Sequence, residues 1–295
     1  MAVWWGFRRF SDLPARLGEA PLWSAAEERV WWIDIEGAQL LASDGDGGRT
    51  DAWPAPGPIG CLALLADGDL LAGVGTGLYR FDRRSGRFRE RGRLDTTAPI
   101  RFNDGAVDAA GRFWVGAMDR DNRAPLGGIY RIGKDLVPVR VVEGLLTPNG
   151  LAVDGVRGRL YFSDSHASVR TVWACDCDLA SGAVGERRVF ARFGEADGRP
   201  DGAALDAEGN YWIAATDVGR LLCFAPDGRL RERIAVPVSH PTKPAFGGRD
   251  LATLFLTSRR VPPAGTQDRD SGFLLIAGVP RSGRLESLFR CRQEK

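Results

Sequence analysis

The chain is short of histidine, cysteine and long apolar runs, and each shortage removes a class of function. Only His166 and His240 are present, and no G-x-S-x-G string occurs, so a Ser-His-Asp or Cys-His relay has almost nothing to work with. The five cysteines (Cys61, Cys175, Cys177, Cys223 and Cys291) are odd in number and irregular in spacing, a poor match to a disulfide framework and a good one to a reducing cytoplasm. Cys175 and Cys177 form a C-x-C pair, but no second Cys or His pair follows at zinc-ligand spacing, so the pair is read as structural. No apolar run approaches the length of a membrane span, and the opening MAVWWGFRRF places its arginines after the apolar residues and is too short for a signal h-region. The expectation is a cytoplasmic protein with no membrane partner. Charge of one sign is also missing: 40 Lys plus Arg stand against 38 Asp plus Glu, scattered without a basic tract, which leaves no footprint for nucleic acid. Lysine occurs only at Lys134, Lys243 and Lys295, a bias toward arginine that reflects base composition and carries no functional weight.

A sustained apolar stripe at helical spacing is absent too, and 38 Gly with 17 Pro would interrupt any long helix. What is present is a recurring unit: a short apolar strand, a D-x-x-G or similar turn, then a second strand rich in Trp, Phe, Tyr and Val. Six copies start near Leu17, Ile59, Arg101, Thr147, Arg199 and Thr242, with a period of about 41 to 52 residues, near that of four-stranded propeller blades. VDAAGRFWVGAM and LDAEGNYWIAAT each read as a hairpin around a polar turn. With 295 residues and 44% apolar content, the chain has enough core for one all-β domain over 1–295, a six-bladed β-propeller of four-stranded antiparallel blades, monomeric or a small homo-oligomer. VWWGFRRF is a candidate strand to complete the last blade beside the C-terminal strands, which removes an open sheet edge.

The repeats share a position near the start of the first strand, where each blade lies nearest the propeller axis, and these positions are polar: Glu19, Asn103, Asn149 and Asp201. Two carboxylates and two carboxamides from four blades make a hard oxygen set suited to Ca²⁺, Mg²⁺, Mn²⁺ or Fe²⁺. In GEAP, FNDG, PNGL and PDGA the polar residue stands beside Gly or Pro, as close backbone approach near an axis requires.

With these strings in hand, the chain resembles the SMP-30/gluconolactonase/LRE family of regucalcin and the bacterial sugar lactonases. The resemblance is carried by LGEAPLW, RFNDGAVDAAGRFWVGAM, LTPNGLAVD, LYFSDS, PDGAALDAEGNYWIA and KPAFGG, spread from Leu17 to Gly248 in the family's order. It implies one divalent ion (Ca²⁺, Zn²⁺, Mg²⁺, Mn²⁺ or Fe²⁺) bound by Glu19, Asn149 and Asp201, and a substrate contacted by Arg101 and Asn103. An acidic residue near the mouth of the site is matched by Asp121, with Asp119 as the alternative. The implied reaction is hydrolysis of a sugar-acid lactone such as a glucono-, xylono- or arabinonolactone. The ion would polarise the carbonyl, Asp201 or a metal-bound hydroxide would supply or activate the water, and Arg101 would help hold the oxyanion. Rival readings are a metal-dependent phosphotriesterase and a non-catalytic metal-binding propeller.

Other strings are read as architecture. GVGTG (Gly73 to Gly77) lacks the spacing and helix of a nucleotide-binding turn, and SDGDGG (Ser43 to Gly48) lacks the closing Glu of a calcium loop, so both are hairpin turns. The tryptophans fall mostly at equivalent strand positions and are read as packing between blades, with sugar stacking left open for one or two. Lys243, in TKPAFGG, is placed where the sixth blade meets the axis, either to contact an anionic product or as a solvated strand-end lysine. Either histidine could line the channel mouth.

Overall fold

The computed structural model describes residues 3–263 and 267–291. It consists of six antiparallel blades and, at Glu195–Asp197, a single 3-10 turn. Among the described residues no helix is long and apolar enough to cross a membrane. The innermost strands are Gly18–Ser24, Ile59–Leu64, Ile100–Val107, Pro148–Asp154, Arg199–Leu205 and Pro241–Gly247, in blades 1 to 6. Each begins within one residue of a repeat start read from the sequence. Each packs against the next, and the sixth against the first, so a ring closes around an axial channel.

The hairpins form for local reasons. In blade 3, Asp108 accepts the N–H groups of Ala110 and Arg112 in the turn and, through its other oxygen, the indole N–H of Trp114 at 2.8 Å. Blade 5 repeats the device with Asp206, Asn210 and Trp212. Trp114 and Trp212 are fully buried, and such burial contributes about 2–3 kcal/mol per aromatic side chain. The apolar clusters straddle neighbouring blades, as where Phe102 and Phe113 of blade 3 pack with Cys61 and Leu71 of blade 2. GVGTG and SDGDGG are hairpin turns, within blades 2 and 1. The five cysteines are unpaired, and burial raises the Cys175 thiol to about 11, which keeps it protonated and inert.

The expected closing strand is divided in two. Arg8–Arg9 pairs antiparallel with Leu275–Gly278 and is the outer strand of blade 6, whereas Val3–Trp4 runs parallel to Leu230–Ala235 as a fifth strand of blade 5. Between them Gly6 adopts φ +65° with nothing crowding its missing Cβ, so the left-handed turn itself is what calls for glycine there.

Two further features position the site. In all six blades the register of the innermost strand shifts near its start, as between Glu19 and Leu22, Phe102 and Asp104, Asn149 and Ala152, and Pro200 and Ala203. A bulge re-aims the side chains beside it. Beyond Leu275–Gly278 the chain crosses the far ends of the innermost strands: Gly283 bridges Asp206, Glu286 accepts the Val107 N–H at 2.9 Å, and Phe289 bridges Leu65. This C-terminal strap covers one end of the channel, beside a small cavity of about 70 Å³.

Candidate active site

At the other end lies an open pocket of about 940 Å³, its solvent mouth included, lined by Glu19, Arg101, Asn103, Asn149, Ser165, Arg199, Asp201 and His240 among others. Backbone geometry puts the motif residues there. Ala20, after Glu19, has φ +47°, and its N–H donates to Glu19 Oε2 at 3.0 Å. Gly150, after Asn149, has φ +62°, and a Cβ on it would lie 2.4 Å from the Tyr211 hydroxyl, which donates to Gly150 O. Gly202, after Asp201, is required for a different reason: a Cβ there would meet the stem of Lys243 at 2.5 Å.

Asn103 and Asn149 are linked. Asn103 Nδ2 donates to Asn149 Oδ1 at 2.8 Å, and Asn149 Nδ2 donates to Ser165 Oγ at 2.9 Å. Arg101 Nη1 donates to Asn103 Oδ1 at 2.8 Å, which puts both residues on the channel side while Phe102 is buried in the interior. The carboxylates are treated differently: Glu19 accepts one backbone N–H, and among the described residues the Asp201 carboxylate accepts no hydrogen bond. Burial pushes the Glu19 carboxyl well above the usual carboxylate range, with Asp201 and Asp104 adding repulsion and Lys243 opposing it. Burial likewise raises Asp201 to about 7, with Arg199 and Lys243 opposing and Asp104 and Asp217 adding. Burial lowers the Arg101 guanidinium while Glu19 supports its charge.

Other expected residues fall elsewhere. Asp121 is exposed on the loop after Phe113–Asp119 and does not line the pocket. The alternative, Asp119, is engaged in holding that loop, where it accepts the N–H groups of Asp121, Arg123 and Ala124. From this loop it is Asn122 that reaches the pocket wall, by accepting the Thr147 hydroxyl at 2.5 Å. Lys243 is neither solvated nor in the pocket: it is buried and paired with Asp104. His240 lines the mouth, with Nδ1 3.2 Å from Asp217 Oδ1. His166 instead pairs with the Ser168 hydroxyl. No tryptophan lines the pocket among the described residues, so its wall offers no indole for sugar stacking.

Arg199 was missed by the sequence reading. It forms a two-point ion pair with Asp217 at 2.6 and 2.9 Å and partly offsets the charge of Asp201. A signal existed, because R-x-N in blade 3 and R-x-D in blade 5 put an arginine two residues before the motif residue in both repeats.

Among the described residues no three His, Cys, Asp or Glu side chains group as metal ligands; the candidate set is two carboxylates and a carboxamide. It fits a hard divalent cation. Glu19 is buried and its proton affinity is raised further by Asp201, Asp201 is half-buried at the pocket wall and among the described residues is left without a donor, and a neutral oxygen of Asn149 lines the same pocket.

Comparison with known proteins agrees with this architecture. The profile of the SMP-30/Gluconolactonase/LRE-like region matches residues 17–260. The chain is 35% identical over 288 residues to L-arabinolactonase of Azospirillum brasilense, covering 95% of this chain and 94% of that one. It is also 35% identical over 281 residues to 6-deoxy-6-sulfogluconolactonase of Pseudomonas putida, covering 94% and 96%. The crystal structure of regucalcin, a calcium-binding protein from Agrobacterium tumefaciens str. C58, superposes with a TM-score of 0.91 at 27% identity, over 98% of this chain and 99% of that one.

Proposed function

The chain belongs to the SMP-30/gluconolactonase/LRE-like family, and from that premise we propose that it opens the ring ester of an aldonolactone with the help of one divalent ion held by Glu19, Asn149 and Asp201. Relatives that are lactonases at 35% identity over nearly the whole chain make it a sugar lactonase; the ion, the residue roles and the particular sugar are our reading. The observation that carries it is the pair of carboxylates from blades 1 and 5, Glu19 buried and Asp201 half-buried, left almost without donors in a pocket that also holds Arg101, Asn103 and Asn149. The lining sets charged and polar side chains beside Leu17, Ile35, Met118 and Val261 and, among the described residues, includes no Phe, Tyr or Trp, and its many donors and acceptors suit a hydroxyl-rich substrate.

A divalent ion bound there would supply Lewis acidity toward the lactone carbonyl. The chain's own residues do the rest. The Asp201 carboxylate accepts a proton from the attacking water, and that proton returns to the ring oxygen as the ester C–O bond breaks, giving the hydroxy acid. Arg101 places a positive charge beside the oxygen that becomes anionic. Asn103, held by Arg101 and Asn149, orients the sugar hydroxyls.

Acid release from a panel of glucono-, xylono- and arabinonolactones, followed by pH indicator with and without chelator, tests the reading. Hydrolysis well above the spontaneous rate, abolished by chelator and restored by a divalent ion, is the expected result. Hydrolysis that survives complete removal of divalent ions would overturn the metal assignment, and no hydrolysis of any aldonolactone would overturn the substrate class.

A further inference from the structure

In blade 6 it is Thr242 that lines the pocket, and the ammonium of Lys243, the next residue, points beneath the pocket and not into it. Nζ donates to Asp104 Oδ1 at 2.6 Å and to Gly105 O at 2.9 Å. The stem crosses Gly202, the residue after Asp201, so closely that a Cβ there would be 2.6 Å from Lys243 Cγ. Asp104, the residue after Asn103, also accepts the Leu151 N–H from blade 4 at 2.9 Å. One ion pair therefore ties blades 6, 3 and 4 together across the axis, adjoining Asn103, Asn149 and Asp201 in the chain. Both partners are buried. A buried ion pair is weak ground for stability, because apolar side chains of the same volume often serve as well. Its charges do act on the site: Lys243 favours the ionised forms of Glu19 and Asp201, and Asp104 opposes them.

We propose that Lys243 and Asp104 are positioning residues of the lactonase site: an internal charge pair strung from blade 6 to blade 3 beneath Glu19 and Asp201, whose balance of fixed cation against fixed anion sets the affinity for the divalent ion. This rests on the metal reading above. Glu286 of the strap faces the same ammonium from below and is common to all variants; against that background loss of either partner tips the field at Glu19, Asn149 and Asp201, and the two losses tip it in opposite directions.

The test is calorimetric titration of Ca²⁺ and Mn²⁺ into the chelator-stripped full chain, as wild type, Asp104→Asn, Lys243→Met and the double variant. Asp104→Asn leaves an uncompensated cation and lowers affinity about ten- to a hundredfold, the scale of one charge acting across several ångströms of protein. Lys243→Met leaves an uncompensated anion and raises affinity by about tenfold, while the double variant returns close to wild type. Where a single variant does not fold when stripped, thermal unfolding with added Ca²⁺ gives the same sign: the ion rescues Lys243→Met and fails to rescue Asp104→Asn. Weaker binding in both single variants, unchanged binding in both, or failure of Ca²⁺ to rescue an unfolded Lys243→Met would overturn the proposal and leave the pair a purely structural tie. A wild type that binds neither ion would instead overturn the metal reading on which the proposal stands.

Discussion

The innermost strands of blades 1 and 5 carry carboxylates at the open end of the channel and those of blades 3, 4 and 5 lead into aspartates at the strapped end, and the two ends treat their carboxylates in opposite ways. At the strapped end Asp108, Asp154 and Asp206 are saturated: Asp154 alone accepts from the Val156 and Arg157 N–H groups and from the guanidinium groups of Arg157 and Arg284. At the open end Asp201 accepts nothing among the described residues, and Glu19 accepts a single N–H. The consequence shows in proton affinity, since Asp154 is lowered by its arginines against its burial while Asp201 is raised to about 7. A saturated aspartate is architecture. A carboxylate withdrawn from water and left without donors is free to take a ligand, and that contrast is the ground on which we propose the open end as the place of the chemistry.

The contrast breaks most severely with Asp201→Ala or Glu19→Ala, each expected to lower lactone kcat/KM by about a thousandfold or more, some 4 kcal/mol, while circular dichroism still reports a folded β protein. More than half of wild-type activity in either variant would remove it from the site. Arg101→Ala should lower kcat/KM by about one to three orders of magnitude, or 1.4 to 4 kcal/mol, with Asn103→Ala less affected because a charged donor stabilises a developing oxyanion more than an amide does. Divalent-ion affinity should stay nearly constant in both, and a large loss in Asn103→Ala would place Asn103 in the coordination shell. At the strapped end the effect moves from activity to stability. Asp206→Ala strands the buried Trp212 indole and the Asn210 amide and should lower unfolding free energy in urea by about 2 to 3 kcal/mol. The smallest effect is on pH. Because burial raises Asp201 to about 7 and Glu19 well above its ordinary value, the free protein holds protons there that the ion must displace, so affinity should fall as pH drops through 7, by up to about tenfold per unit for each proton displaced. Affinity that is flat from pH 5 to 8 would contradict that displacement.

The blades were legible because their information is local: an aspartate, a turn and a tryptophan lie within seven residues in VDAAGRFW and LDAEGNYW, and their side chains bond one another. The axial motif residues were legible for a related reason, since the repeat marks equivalent positions. What escaped depends on contacts far apart in the chain. Lys243 meets Asp104 across 139 residues, and nothing near TKPAFGG signals that its ammonium turns beneath the pocket. The strap is similarly silent, because Glu286 reaches Val107 across 179 residues. Asp121 was placed by a loosely patterned loop, and the structure shows that loop held by Asp119 and joined to the pocket wall through Asn122. The division of VWWGFRRF turns on one backbone angle at Gly6, which an alternation pattern does not encode.

The most direct test of the account is a calorimetric titration of Ca²⁺ into chelator-stripped wild type, Asp201→Ala and Asp206→Ala side by side, because the two aspartates lie near opposite ends of one short strand. The account predicts a single ion bound by wild type, the same ion bound with unchanged affinity by the less stable Asp206→Ala, and no measurable binding by Asp201→Ala. Retained binding in Asp201→Ala, or its loss in folded Asp206→Ala, would contradict the claim that the ion is held at the open end by the carboxylates left without donors.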